Sequence, residues 1–420
     1  MALLQQDHLY DLIIVGAGIS GLSLAASLQE LDILILESED RVGGRVYSRR
    51  LCNMDVELGA IFPLTPEDND SGNINFNKSS VAIYDNSRLT YGSDPIDVLN
   101  SIARSQLTDE LTDLDPSNTS KTFYNDLFKI LTSKDANANL QSSKAYYLVD
   151  AFHRLIHPGP LSFYSQSFVK QALTNWPLVF GKFANQKLVE IFQQRLSNST
   201  TIHTNCNVSE ISETDDYFEA GIICNGKTFR ARSKYCAVTT STRQLLHILR
   251  KINITSIEFY RKIIYMPGIV CAMVIDKMPE LPRYIVSADQ LWSSIIPIYR
   301  DDKVALHFYI TGNWTLKVWD KPDNLIAEML ITSLRKMGIH VECLDYAVKR
   351  WQELGPILSD NLTTSYQPNH HRLTNKLWYG GEMAMYKPSM PVSYGVTAAI
   401  KAGQLVASEI MQAKINQVTA

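Results

Sequence analysis

The stretch from Asp11 to Glu37, DLIIVGAGISGLSLAASLQELDILILE, limits what this chain can fold into more than any other. Leu12-Ile13-Ile14-Val15 reads as a buried parallel strand leading into a turn at Gly16. Gly16, Gly18 and Gly21 have the G-x-G-x-x-G spacing, in which one glycine makes the tight turn, one admits a pyrophosphate to the backbone, and one lets helix pack on strand. The apolar positions Leu22, Leu24, Ala25, Leu28 and Leu31 then suit a helix, whose N-terminus would receive the phosphate. Ile33-Leu34-Ile35-Leu36 forms a second strand ending at Glu37, placed to accept from a ribose hydroxyl. The unit predicts a bound dinucleotide rather than a glycine turn that only packs strand on helix. An acid at Glu37 favours NAD or FAD over NADP, and this stretch leaves both open.

Immediately downstream, SEDRVGGRVYSRR begins with Ser38 and places Arg41 and Arg45 on either side of the Gly43-Gly44 pair. Two guanidinium groups around a flexible glycine pair suit a loop folded over phosphates or over the edge of a planar cofactor, and the alternative is a solvated basic turn. Asp55 to Ile61 alternates like a strand and breaks at Gly59-Ala60, which permits close backbone approach to something flat.

GAGISG, Glu37, RVGGR and DVELGA together resemble the FAD-binding N-terminus of the flavin-containing amine oxidase superfamily. The C-terminal WYGGE, with Gly381 and Glu382, and YGVTAAIKAG, with a small-residue helix starting near Val396, resemble the flavin motif at the other end of that superfamily. The resemblance implies FAD rather than NAD. No cysteine precedes the last motif in the place used for covalent attachment, so the FAD is expected to be noncovalent. It also implies an α/β fold, a Rossmann-type FAD-binding domain with an interleaved α+β substrate domain. Residues 1–64, 181–248 and 376–420 would form the FAD-binding domain, with a backbone group near Val208 meeting the adenine. Residues 65–180 would form a mainly helical substrate segment, and 249–375 a sheet-containing one.

Between these ends the patterning is coarser. PEDNDSGNINFNKSS reads as a polar loop or insertion. SIARSQLTDELTDL, FYNDLFKILTSK and KAYYLVDAFHRLIH carry helical spacing. His153 and His157 lie four apart, a spacing able to ligate metal, but no third ligand follows and an amphipathic helix surface is the expected reading. A helix over 186–195 and strands at 201–203 and 208–211 follow. Phe218 to Ile223, the turn Asn225-Gly226, and Lys227 to Arg230 predict a hairpin, with Tyr235 to Val238 as a further strand. Strands are also expected at 269–275, 291–299 and 304–310, and a helix over 324–336.

With 420 residues, 45% of them hydrophobic, the chain has ample material for two to three domains. Its 40 Lys+Arg against 43 Asp+Glu give no electrostatic reason to expect nucleic acid or an anionic membrane as partner. The six cysteines are scattered without metal-site spacing, so free buried thiols are expected. No apolar run approaches the roughly 20 residues of a membrane span. The first strand begins too near Met1 for a signal peptide ahead of it, so a cytoplasmic protein is expected. Oligomeric state is not readable.

Removal of a hydride equivalent from an amine to flavin N5 requires positioning of a small-molecule substrate and exclusion of water. The resemblance implies two aromatic rings facing the flavin, and the candidates are Tyr394 and Tyr366, with Trp378 in reserve; packing is the alternative for each. Many amine oxidases of this group also carry a lysine on a substrate-domain strand that helps reaction with oxygen. The corresponding GIVCAMVID has Val270 and Cys271 there, with Lys262 or Lys277 as substitutes if the register differs. Two further readings stay open: a desaturase, isomerase or decarboxylase on an apolar non-amine substrate or a dehydrogenase with poor oxygen reactivity, and a non-catalytic flavin-bound scaffold.

Overall fold

The computed structural model describes residues 8–61, 81–85, 88–110, 126–127, 129, 143–164, 185–254, 256–276, 281–287, 289–300, 302–388 and 395–418. The chain opens with the predicted unit: strand β1 (Leu9–Val15), helix α1 (Ile19–Ala26) and strand β2 (Ile33–Leu36). A hairpin of β3 (Ser48–Leu51) and β4 (Met54–Glu57) follows, then β5 (Val81–Asp85), β6 (Arg88–Gly92), α2 (Pro95–Glu110) and α3 (Lys144–Ile156). Next come α4 (Gln186–Gln194), β7 (Thr200–His203), β8 (Cys206–Glu213), β9 (Phe218–Cys224) and β10 (Lys227–Val238). The last third contains β11 (Ile264–Asp276), β12 (Tyr284–Val286), β13 (Ser294–Arg300), β14 (Lys303–Ile310), α5 (Asp323–Lys336), β15 (Cys343–Ile357), β16 (Leu377–Tyr379) and α6 (Val396–Val418).

These strands sort into two large sheets. The first has the order β7-β2-β1-β10-β9-β8, with β16 on the other side of β10. Its β7, β2, β1, β10 and β16 run parallel, and β9 and β8 return antiparallel. β1 and β2 are apolar along nearly their whole length because both their faces are buried: Leu12, Ile14, Ile33 and Ile35 pack with Leu24 of α1 and Val406 of α6, while Ile13, Val15, Leu34 and Leu36 share a cluster with Val208, Ile211 and Ile222 of β8 and β9. The second sheet has the order β15-β11-β14-β13-β12-β5-β6 and is antiparallel except for β12 beside β5. One of its faces packs on α5 through Trp292, Phe308, Ile326 and Leu330. The other receives the β3–β4 hairpin, with Leu51, Val56 and Leu58 against Ala272, Val274 and Ala305.

Each sheet is assembled from stretches far apart in sequence, so the two folding units interleave. Helix α6 returns to lie on α1, close enough that a Cβ on Gly403 would stand 2.4 Å from the Ser20 carbonyl oxygen. Ser23 Oγ donates to the Ile400 carbonyl at 3.1 Å in the same contact.

Three expectations change. Tyr235 to Val238 is the end of the long hairpin strand β10, which runs on past the Asn225-Gly226 turn. His153 and His157 lie in the interior, 1% and 0% exposed, because α3 turns that side toward the second sheet and Tyr164. Cys206 and Cys224 are a disulfide rather than free thiols, since they are directly opposite in the β8–β9 ladder, whereas Cys52, Cys236, Cys271 and Cys343 are free. The polar stretch PEDNDSGNINFNKSS and most of FYNDLFKILTSK lie outside the described residues. Among the described residues, no helix is long and apolar enough to cross a membrane, and no group of three or more His, Cys, Asp or Glu could hold a metal ion.

Candidate functional site

The site starts at the turn between β1 and α1. Gly16 has φ +101°, which a side chain would strain, and Thr239 Oγ1 seats the turn by donating to the Gly16 carbonyl at 2.9 Å. Gly21 packs so closely that a Cβ there would lie 2.1 Å from the Gly16 carbonyl oxygen. Gly18 is different, because a Cβ on it would meet nothing within 4 Å. Gly18 is also the N-cap of α1, whose first turn has neither a side-chain cap nor an acidic residue. The leading N–H groups of α1 are therefore left for an anion, as a pyrophosphate would need.

Glu37 closes this turn from the end of β2. Its Oε2 accepts from Ala17 N at 2.8 Å, and its Oε1 from Glu39 N at 2.9 Å and Ser38 Oγ at 3.2 Å. A carboxylate offers about four acceptor positions, so one remains for a ribose hydroxyl. Val208 is buried on β8, two residues beyond Cys206, whose N–H donates to the Glu37 carbonyl at 2.8 Å.

The two arginines divide their work. Arg41 donates to the Gly44 carbonyl at 2.7 Å and pairs with Glu39 at 2.9 Å, so it folds the Gly43-Gly44 loop on itself. Gly43 N donates to the Ala17 carbonyl at 2.8 Å, and a Cβ on Gly44 would stand 3.2 Å from Gly18 Cα, which lays the loop against the glycine turn. Arg45 instead reaches across the molecule to Glu382, 2.5 Å away. Burial works against its charge, and the Glu382 carboxylate more than offsets this, so the guanidinium is held more firmly charged than usual.

Around that ion pair the backbone approaches closely. Gly59 has no room for a side chain, since a Cβ would lie 2.0 Å from the Arg45 carbonyl oxygen and 3.3 Å from the Trp351 ring. Trp351 Nε1 donates to the Leu58 carbonyl at 2.6 Å, Tyr309 Oη to the Gly59 carbonyl at 2.7 Å, and Asn185 Nδ2 to the Ala60 carbonyl at 2.5 Å. Glu57 is buried beneath this strand, its oxygens accepting from Ser48 and Asn185, and burial raises its pKa to about 7. Gly381 begins the turn that presents Glu382, and Val396 is the buried first residue of α6. Just before it, Gly395 has φ +97° with open space about it, and the first turn of α6 holds no acid.

Sequence comparison matches residues 14–73 to the NAD(P)-binding Rossmann-like domain family. Over 60 residues the chain is 45% identical to the flavin-containing amine oxidase A of Canis lupus familiaris, covering 14% of this chain and 11% of the relative. Over 51 residues it is 51% identical to polyamine oxidase 7 of Oryza sativa subsp. japonica, covering 11% of each. The matched stretch thus spans about a tenth of these curated relatives. The structural likeness is far longer: a putrescine oxidase with a redesigned cofactor site superposes with TM-score 0.70 over 96% of this chain and 99% of its own, at 14% identity. The chain has the amine oxidase fold.

A cyclohexylamine oxidase from Brevibacterium oxydans IH-35A (TM-score 0.67, 14% identity, 96% and 100% covered) shares that fold. So does a protein described as a protoporphyrinogen oxidase from Exiguobacterium sp. 255-15 (0.68, 14%, 95% and 99%), so the fold alone does not fix an amine as substrate. Within this fold Gly18 lies against Gly44 and Arg45 against Glu382, so the glycine turn, the Gly43-Gly44 loop and the Gly381-Glu382 turn meet.

Of the aromatic candidates, the two among the described residues, Trp378 and Tyr366, pack in different clusters. Trp378 is fully buried in the core of the first sheet, beside Tyr235, and its Nε1 donates to Glu409 at 2.8 Å. Its neighbour Tyr379 faces the other way, toward Tyr260 and Gly381. Tyr366 is half-buried among Phe259, His370 and Tyr386. Tyr394 lies outside the described residues. Tyr265, which the sequence reading missed, stands with its ring centroid 5.8 Å from the Arg45 guanidinium.

Val270 and Cys271 lie mid-strand on β11, fully buried, while Lys262 caps a short surface helix and Lys277 lies outside the described residues. The residue opposite Val270 is Lys349, whose Nζ is 4.8 Å from the Trp351 ring and 5.6 Å from the Tyr47 ring. Thr239, Tyr265 and Lys349 carry no motif of their own. Only Thr239 had a local signal, as a small polar residue directly after a buried strand.

Proposed function

We propose that the chain is an FAD-dependent oxidoreductase of amine-oxidase type, taking a hydride equivalent from an amine or amino acid to a noncovalently held FAD. The Arg45–Glu382 pair carries this reading, because it joins the two flavin-like motifs directly beside the open glycine turn. The uncapped N-terminus of α1 would hold the pyrophosphate, Glu37 a ribose hydroxyl, and the backbone near Val208 the adenine. Gly59-Ala60, Gly381-Glu382 and the start of α6 at Val396 would lie along the flavin, which supplies the hydride acceptor when bound. In this division residues 1–64, 181–248 and 376–420 bind FAD, and 65–180 with 249–375 bind substrate. Tyr265 and Tyr379 are aromatics beside Arg45 from the second and first sheets, and Tyr394 and Tyr366 stay as candidates from sequence.

The test is spectroscopic. Purified protein supplied with FAD should show bound-flavin absorbance that bleaches anaerobically with members of a panel of amines and amino acids. No flavin absorbance after reconstitution would end the reading, and bleaching only by a non-amine would move it to the desaturase class.

One observation favours a narrower version. A fully buried valine at position 270, with Cys271 beside it, leaves that part of β11 without a cation, which supports a dehydrogenase whose reduced flavin meets oxygen slowly.

A further inference from the structure

Behind Tyr265 lies a group of buried polar side chains outside the contacts proposed for the cofactor. Tyr265 pairs with Pro356 in the β11–β15 ladder, and Tyr164 Oη donates to the Pro356 carbonyl at 3.3 Å. The Tyr164 ring lies edge-on to His153, with centroids 4.4 Å apart, and His157 stacks 4.6 Å from His153. A line of neighbours therefore runs from Arg45 through Tyr265, Pro356 and Tyr164 to His153.

His153 is 1% exposed, and neither of its ring nitrogens has a hydrogen-bond partner. Helix α3, which carries it, packs against β12 and β13. On that side Ser294, the first residue of β13, has a buried hydroxyl without a partner, and so has Thr311, just past β14. Ser294 is opposite Tyr309, whose hydroxyl bonds Gly59, so this sheet face looks toward the flavin side of the site. Buried polar atoms are nearly always satisfied, and several left open around one interior indicate a polar ligand group that belongs there.

The charge at this place selects the group. The buried carboxylates among the described residues are Glu37, Glu57, Asp150 and Glu382. All are engaged: Glu37 by Ala17, Glu57 by Ser48 and Asn185, Asp150 by Arg154 and Leu161 N, and Glu382 by Arg45. Half-buried Glu353 lies 4.0 Å from Arg243. Arg154, next to His153, is itself a cation. Burial and Arg154 push the His153 pKa down to about 3, so the imidazole is neutral, with one donor and one acceptor nitrogen.

We propose that this interior is the far end of the substrate site, where the substrate presents a neutral hydrogen-bonding group (a hydroxyl, ether or amide) to His153 rather than a second ammonium. The inference rests on the amine reading above and narrows it to monoamines with a polar, uncharged tail.

Three probes of equal heavy-atom length test it on the FAD-loaded full chain: n-hexylamine, 5-amino-1-pentanol and 1,5-diaminopentane. Anaerobic titration of the flavin spectrum gives affinity and reduction, and the imidazole 15N resonances of His153 give a readout independent of turnover. The aminoalcohol should bind about tenfold or more tighter than either other probe and shift the His153 resonances. His153→Leu should bring the aminoalcohol down to the level of the alkylamine, and His153→Gln, which keeps a donor and an acceptor should the leucine variant not fold, should retain part of the preference. Tightest binding of the diamine, or a preference unchanged in both variants, overturns the proposal. Equal reduction by all three probes leaves the amine reading standing without this one. A His153 shift with no flavin reduction leaves this one without the amine reading, and neither response removes both.

Discussion

Arg45 Nη2 sits 2.5 Å from Glu382 Oε1, although the two residues are 337 positions apart in the chain. Arg45 also donates to the Leu354 carbonyl at 3.3 Å, so a residue of the Gly43-Gly44 loop touches both β15 of the second sheet and the turn after β16 of the first. The Glu382 side chain is 5% exposed, whereas that of Arg45 is 33% exposed, so the carboxylate depends on the pair more than the guanidinium does.

Arg45→Met should therefore cost more than Glu382→Gln. Each is expected to weaken FAD binding by about tenfold to a hundredfold, because an uncompensated buried charge is the larger penalty. The double variant should recover part of the stability lost in Arg45→Met but none of the FAD affinity. Fluorescence titration with FAD and urea unfolding of the cofactor-free proteins check both halves, and tight FAD binding by Arg45→Met would count against the assignment.

Gly18 and Gly21 should separate binding from folding. Gly18 has φ −65° and free space at its Cβ position, so Gly18→Ala should keep the melting temperature of the cofactor-free protein within about 2 °C. The same methyl would stand where phosphate is expected, so FAD affinity should fall about tenfold or more. Gly21→Ala should instead lose at least about 2 kcal/mol of stability through its clash with Gly16.

Glu57 gives a pH signature with a definite sign. Burial raises its folded-state pKa from 4.5 to about 7, with Ser48 and Asn185 partly offsetting the shift. A raised acid binds its proton more tightly in the native state, so its contribution to stability is complete below pH 4.5 and is lost as pH rises through about 7. Relative to Glu57→Gln, the native protein should lose up to about 3 kcal/mol between pH 5 and pH 8. Parallel denaturant melts at both pH values measure the difference, and a gap constant with pH would show that Glu57 is ionised throughout.

The electron acceptor can be read from the same flavin. After anaerobic reduction, a phenazine–indophenol dye pair should reoxidise the protein about tenfold or more faster than air does, because under the proposed function the buried Val270 takes the strand position from which a lysine would assist oxygen. Fast, stoichiometric peroxide formation would sink this expectation and turn attention to Lys349, opposite Val270, with Lys349→Met as the next variant.

The first nucleotide-binding unit was legible because its constraints are local. Gly16 holds a positive φ and Gly21 packs on Gly16 within one turn, Gly18 leaves open the space a phosphate would need, and Glu37 follows at the end of the next strand. The aromatic candidates were less legible, since β16 lies in a parallel sheet buried on both faces, and strand patterning cannot say which of Trp378 and Tyr379 faces the site. His153 and His157 read as a helix surface because the partners that bury them, Tyr164 and the second sheet, come from elsewhere in the chain. The disulfide was hidden by one irregularity. Below the turn at Thr214–Tyr217 the ladder pairs Glu210 with Gly221, and only the bulge between Val208 and Glu210 brings Cys206 opposite Cys224 instead of Asn225.

The contact of α6 on α1 has a consequence for the order in which the protein matures. Ser20 and Ser23 belong to the glycine motif, yet the surfaces they meet, at Ile400 and Gly403, are synthesised much later, 377 positions on in the case of Ser23 and Ile400. The same delay applies to Arg45, whose partner Glu382 follows 337 positions later. The βαβ unit can fold early as a local element, but the contacts that close over it form only once Glu382 and α6 have been made. Under the proposed function, flavin loading then follows synthesis of α6, and a chain truncated before α6 should not retain a flavin.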